Sequence, residues 1–302
     1  SSCRWYCKTR YDSPALRKKM LSYFSGEACA SSKPFSAKEN MARIRTVLSS
    51  DRQVATMPNT FSLINGKHRF NDRKMTELPP LLTNLHKWDD LVNFFCDRDV
   101  FDALSSPAYV AAYTAHWKAY FSSQSDGPEK VWSGFQSTLA KIEDSKSRAA
   151  LSQRVAIFMH AELGMPELSL RFLEGSLHAL VREKSADLDI ADTLEQIAIV
   201  QHVGGDLEAA IDKLDEVVSI RAKDLQPEHI KLTTPIMMAG DVLLKAGQTE
   251  EAMKRYNDVL RRLRGLDKPE YRLMVADITT RVADIHKNLG ELDRAITRHE
   301  EA

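Results

Sequence analysis

The sequence carries no net charge. Its 302 residues hold 42 basic and 42 acidic side chains, so no global field recommends nucleic acid or an anionic membrane as a partner. No run of 18 apolar residues exists, which excludes a membrane-spanning helix. Four cysteines (Cys3, Cys7, Cys29 and Cys96) have no even spacing and do not make a secreted disulfide framework; a reducing cytosol suits them better. A phosphate-wrapping loop is missing too. Asn65-Gly66-Lys67-His68 lacks the first glycine and the hydroxyl that such a loop needs, and reads as a turn. His160-Ala161-Glu162 has no Pro-Cys-x-x-Cys partner, which excludes a zinc deaminase. Cys3 and Cys7 are half a metal site with no second half. No catalytic residue, cofactor or metal is expected, and no enzymatic activity.

What is present is 43% apolar residues, enough for a packed core, with the charge unevenly placed. Residues 1–80 hold 15 basic and 6 acidic side chains, and residues 81–302 hold 27 and 36. Arg4-Trp5-Tyr6 and Lys67-His68-Arg69-Phe70 interleave bases with aromatics, as phosphate contacts do. The Ala, Ser, Lys and Pro run of Ala28 to Ser36 reads instead as a loop, so a solvated face is preferred over nucleic acid. The chain opens Ser1-Ser2-Cys3 without methionine, and its helical pattern is still running at Glu300-Glu301-Ala302. It is expected to be a piece of a longer protein.

Glycine is sparse, 12 residues in all, and four recur almost periodically: Gly164, Gly205, Gly247 and Gly290. Five residues after each stands a small one, Ser169, Ala210, Ala252 and Ala295; seven before stand Ile157, Ala198, Gly240 and Ala283. Self-similarity with this period is the mark of a solenoid. Leu194, Ile197 and Ala198 mark one face of a helix, Gly204-Gly205-Asp206 breaks it, and Leu207, Ala210, Ile211, Leu214, Val217 and Val218 mark the next. Small residues at 198 and 210 let two helix axes approach. In the first copy Ile157 is too large for its position and Gly164-Met165-Pro166 replaces the usual turn, so that copy is expected to be degenerate. His160 and His286, both four before the glycine, are expected to be equivalent packing residues. Pro235 is expected to delay or kink the third copy's first helix.

The pattern Leu194…Ile197-Ala198…Gly205-Asp206…Ala210-Ile211 resembles tetratricopeptide (TPR) repeats. The long period and Gln226-Pro227-Glu228-His229 make it similar to the repeats of kinesin light chains and nephrocystin-type proteins. The segment Arg73-Lys74-Met75-Thr76-Glu77-Leu78-Pro79-Pro80-Leu81-Leu82…Lys87-Trp88-Asp89-Asp90-Leu91 resembles the stretch joining a NACHT (STAND-class) nucleotide module to its sensor repeats. Leu16 to Gly26 is similar to the helix ending the winged-helix part of such proteins. The expected fold is all-α, a TPR-like α-solenoid preceded by a basic, partly irregular N-terminal region. Residues 1–76 would be winged-helix remnant and linker, with a short hairpin around 54–70. Residues 77–146 would be degenerate helical hairpins, with Asp126-Gly127-Pro128 starting one helix, and 147–302 the repeats, the last truncated.

The resemblance implies a protein-interaction scaffold, the sensor part of a larger NACHT-type protein. The alternative it implies is the regulatory half of a nucleotide-hydrolysing switch whose phosphate loop lies upstream. It also implies a cytoplasmic, or ciliary, location. In the family the concave groove is lined 13, 10, 6 and 3 residues before each turn glycine. Here that gives Asp192, Glu195, Ile199 and His202, then Thr234, Met237, Asp241 and Leu244, then Asp277, Thr280, Asp284 and Lys287. The Lys and Asn clamp of chaperone-binding relatives is absent. Gln196, Met238 and Arg281 stand where kinesin light chains carry asparagines, so their cargo motif is not inherited. An acidic, partly apolar groove favours a peptide or helix with Lys or Arg beside a hydrophobic anchor.

Overall fold

The computed structural model describes residues 59–62, 68–184, 186–263, 266 and 268–301, together with Ala15, Lys18 and Leu21 in a helix. The segments 28–36 and 63–67, Cys3, Cys7, Cys29 and most of Leu16 to Gly26 lie outside the described residues. From residue 59 onward the described residues form a two-stranded hairpin and thirteen helices. The chain divides into two compact units, residues 1–141 and 142–302. No helix among the described residues is long and apolar enough to cross a membrane.

In the first unit β1 (Thr60–Ser62) pairs antiparallel with β2 (His68–Phe70). Five helices follow: α1 (Asp72–Asn84), α2 (Trp88–Phe95), α3 (Arg98–Leu104), α4 (Val110–Ser123) and α5 (Gly127–Leu139). Helix α1 crosses the expected boundary at 76/77. Asn71 starts it by accepting the Lys74 amide at 3.2 Å, and Pro79 and Pro80 lie inside it. The core is aromatic: Phe95, Phe101, Tyr113, Trp117, Tyr120 and Phe135 are buried. The Tyr113 hydroxyl donates to the Phe95 carbonyl at 3.2 Å, and burial raises its pKa well above the ordinary phenol value. Burial also moves the Tyr120 phenol up to about 12.

The second unit is four helical hairpins in a row, a TPR-like α-solenoid. They are α6 (Ser145–Ala161) with α7 (Pro166–Arg182), α8 (Asp187–Gly204) with α9 (Leu207–Arg221), α10 (Ile230–Lys245) with α11 (Thr249–Leu263), and α12 (Pro269–Asn288) with α13 (Leu292–Glu301). Each turn glycine has a positive φ, 66°, 89°, 78° and 77° in order, the left-handed conformation that ends a helix without a Cβ penalty. Asp206 caps α9 by accepting the Ala209 amide. The small residues are buried as their spacing demands: Ala198, Ala210, Ala252, Ala283 and Ala295.

The first hairpin does have a different turn at Gly164-Met165-Pro166, as expected, and corrects the placing of Ile157 at the small position. Asp206, Gln248 and Glu291, each following its glycine, donate to the carbonyl four residues before that glycine. Met165 reaches Met159, five before Gly164. Its turn is one residue longer, so every position on α6 shifts by one. The small residue is Ala156, fully buried, and Ser169 donates to its carbonyl at 2.8 Å, while Ile157 turns outward, 44% exposed. By the same shift His160 matches His202, and His286 is not its equivalent.

Pro235 does not delay helix α10. The helix starts at Ile230, capped by His229, and runs through Pro235. At its small position stands Gly240, where the other copies have alanine. The reason lies sixteen residues on: Tyr256 occupies the place that Leu214 takes in the second hairpin. A Cβ on Gly240 would lie 2.6 Å from the Tyr256 ring, closer than real contacts allow. Gly240→Ala is therefore expected to destabilise the unit by about 1–3 kcal/mol despite alanine's better helix propensity. Adding Tyr256→Leu rebuilds the Ala198/Leu214 pair and should recover part of the loss. Thermal melts of the four-variant cycle check this, and additive losses would refute it.

Candidate functional site

The first helix of each hairpin carries the twelve residues that the repeat register assigns to one face. None is buried. Asp192, Glu195, Ile199, His202, Thr234, Met237 and Asp241 are half-buried, and Leu244, Asp277, Thr280, Asp284 and Lys287 are exposed. The one-residue shift on α6 adds Ala150, Gln153, Ile157 and His160 to the same set, so Ile157 repeats Ile199 and His160 repeats His202. A cavity of about 360 Å³ brings part of the register together, Gln153 and Ile157 of α6, Asp192 and Glu195 of α8, and Thr234 of α10, with Gln196 beside them; Ile199, Met237, Asp241, Asp277, Thr280 and Asp284 do not line it. Arg221, Ile230 and Lys231 complete its wall.

Charge on this face is organised by two arginines that the sequence reading did not assign to the groove as cations. Arg221 ends α9, and its guanidinium is buried, 2% exposed. Its Nη2 donates to Asp192 Oδ1 and to Glu195 Oε2, each at 2.6 Å, and its Nη1 donates to the Lys231 carbonyl at 2.6 Å. That carbonyl is free because Pro235, four residues on, has no N–H to bond it. Lys231 Nζ adds a contact of 3.3 Å to Asp192 Oδ2. Farther along, Arg281 donates to Asp241 and to Asp277, the latter at 3.1 Å, and the Tyr256 hydroxyl donates to Asp241 at 2.5 Å. Burial first, then the Asp241 carboxylate, pushes the Tyr256 phenol well up. At the edge, burial and the charge of Lys245 lower the His202 pKa.

The face is therefore less acidic than the first helices alone suggest. Asp192, Glu195, Asp241 and Asp277 all bear arginine partners, whereas Asp284 faces His299 at 3.8 Å. Outer oxygens stay accessible: the side chains of Asp192, Asp277 and Asp284 are 41%, 50% and 59% exposed. Several polar rungs join neighbouring hairpins about 40 residues apart, including Gln153 to Thr193 at 2.7 Å and Arg255 to Asp215 at 2.8 Å. Among the described residues, no group of three or more His, Cys, Asp or Glu side chains could hold a metal ion.

Comparison with known proteins gives fold and no more. No family model matches the sequence, and no curated protein matches it. Solved structures do. The nearly identical TPR-like repeats of a Podosopora anserina protein assigned as a kinesin light chain align over 72% of this chain and 92% of theirs, with 15% identity and a TM-score of 0.49. BtubC from P. vanneervenii aligns over 72% of this chain and 89% of its own, at 12% identity and 0.49. Aspartyl phosphate phosphatase F of Bacillus subtilis aligns over 74% of this chain and 54% of its own, at 14% identity and 0.50.

Proposed function

We propose that residues 142–302 form a protein-interaction scaffold whose first-helix face takes a peptide or helix of a partner protein. The observation that carries this reading is the cavity, which gathers Gln153, Ile157, Asp192, Glu195 and Thr234 from three successive hairpins. A Lys or Arg of the partner would meet the open edges of Asp192, Asp277 and Asp284, and a neighbouring hydrophobic anchor would meet Ile157, Ile199, Ile230 and Met237. Arg221 and Arg281 hold the carboxylates in place, so little side-chain entropy is lost on binding. Asp241, tied to Arg281 and Tyr256, is a supporting residue and a poor test position.

A panel of labelled peptides, with Lys or Arg flanking Leu or Trp and matched Asp or Glu versions, tests the charge preference by fluorescence anisotropy. Asp284→Lys is expected to weaken the basic peptides by about 1 kcal/mol, the scale of an exposed charge pair. Tighter binding of the acidic versions, or indifference to Asp284→Lys, overturns the proposal.

The likeness of Arg73 to Leu91 to a NACHT joining segment supports a wider context, in which this chain is the repeat and sensor part of a larger, cytoplasmic or ciliary protein. If the whole protein is a nucleotide-driven switch, this is its regulatory half. ATP or GTP binding by the 302-residue chain itself would overturn that division of labour.

A further inference from the structure

The cavity shared by the first three hairpins is balanced in charge. Its ionised lining groups are the carboxylates Asp192 and Glu195 and the cations Arg221 and Lys231. They are already paired: Arg221 Nη2 sits 2.6 Å from each carboxylate, and Lys231 Nζ sits 3.3 Å from Asp192. A charged side chain entering here would meet no unpaired opposite charge, and its desolvation would go uncompensated. A purely apolar one would fare poorly too, because the rest of the wall is polar. Among the described residues, the Gln196 amide and the Thr234 hydroxyl bond to no protein group, and Gln153 spends only its nitrogen, on Thr193 Oγ1 at 2.7 Å. Arg221 Nε is buried and meets no acceptor among them either. Covering these groups with methylenes would leave donors and acceptors unmet.

We infer that this cavity receives the side chain of a glutamine from the partner segment, an inference that rests on the first-helix face being the binding face. A carboxamide carries no charge, and its two N–H donors and carbonyl acceptor suit a wall that holds open groups of both kinds. Its NH2 group donates to the free carbonyl oxygen of Gln153, and its own carbonyl accepts from Gln196 or Thr234. Its methylene stem lies against Ile157 and Ile230, the apolar side chains of the cavity, which are 44% and 40% exposed. Asparagine, one methylene shorter, makes less of that contact. The basic residue and the hydrophobic anchor of the same segment are left to the outer carboxylate edges and to Ile199 and Met237.

The probe is a fluorescein-labelled peptide with Lys flanking Leu, through which a single glutamine is moved position by position. Each version is titrated with the whole chain by anisotropy beside its methionine counterpart, which has nearly the same shape and none of the hydrogen bonds. At one position glutamine is expected to bind about fivefold tighter than methionine, the scale of one net hydrogen bond. That preference should disappear when the chain carries Gln196→Met with Thr234→Val. Both positions are half-buried and hold no protein bond among the described residues, so the double variant should keep the wild-type melting curve; Thr234→Val alone gives a milder second variant. Methionine equal to glutamine at every position overturns the inference, as does a preference that survives in the double variant. Lys or Glu binding as tightly as glutamine at the selected position overturns it too. The scaffold reading fails separately: if exchanging the flanking Lys for Glu tightens binding while the glutamine preference stays, the basic partner is wrong and the cavity assignment stands. Absence of binding by every peptide overturns both.

Discussion

Trp117→Ala is expected to destabilise the first unit by about 3–5 kcal/mol, the range for deleting a fully buried large aromatic. Trp117 is 0% exposed, at the middle of α4. Its ring is surrounded on several sides: Phe95 at 5.1 Å, Phe121 stacked at 5.6 Å, Tyr120 at 5.7 Å and Tyr113 at 6.0 Å between centroids. Aromatic neighbours are rigid, so the cavity closes poorly, and the cost lies in the upper part of the range. Trp117→Phe keeps most of the volume and should cost markedly less. The measurement is convenient because all four tryptophans, Trp5, Trp88, Trp117 and Trp132, lie in residues 1–141. Fluorescence in a urea titration then follows the first unit, while far-ultraviolet circular dichroism follows both. An alanine variant whose fluorescence transition moves by less than about 1 kcal/mol would show that the aromatic cluster is not what holds this unit.

How much of this was legible beforehand differs between the units. Gly205, Gly247 and Gly290 announce themselves because a left-handed turn and a close helix crossing each dictate a residue type, and such positions can be read without coordinates. The first unit has no such device. Its helices are spaced by rings, which leave no periodic signature, and α1 runs across the expected 76/77 boundary and through Pro79 and Pro80. In the first hairpin Gly164-Met165-Pro166 marks an unusual turn, but the one-residue shift it puts on α6 is masked because Gly164 keeps its 41-residue distance to Gly205; the recurrence of isoleucine at 157 and 199 and of histidine at 160 and 202 is the signal that reveals it. The repeat register assigns twelve residues of the first helices to one face, but the pairing of their charges is not legible from it. Counting carboxylates on the first helices omits Arg221, which arrives from a second helix. Arg281 stands on a first helix, but the family register gives its place to an asparagine and does not count it in the groove.

Arg221→Met is expected to cost about 2–4 kcal/mol, below the full penalty of breaking a buried ion pair because Asp192 keeps 41% of its side-chain surface in water. Two carboxylates lose their shared cation, and the Lys231 carbonyl loses its donor. The second loss is specific to this sequence, since Pro235 cannot supply the amide that would replace it. Pro235→Ala in the Arg221→Met background restores an ordinary helical bond and should return about 1 kcal/mol. In the wild-type background the same substitution gives Lys231 a second donor where one already serves, so the gain should be smaller. The cycle of four proteins, followed by the circular dichroism transition of the second unit with tryptophan fluorescence held as an internal control, isolates that coupling. Because the guanidinium is buried, raising the salt concentration should leave the loss nearly unchanged. A loss that vanishes at high salt, or a proline effect identical in both backgrounds, would place Arg221 among ordinary surface pairs. The candidate groove would then have to be held by its apolar residues alone.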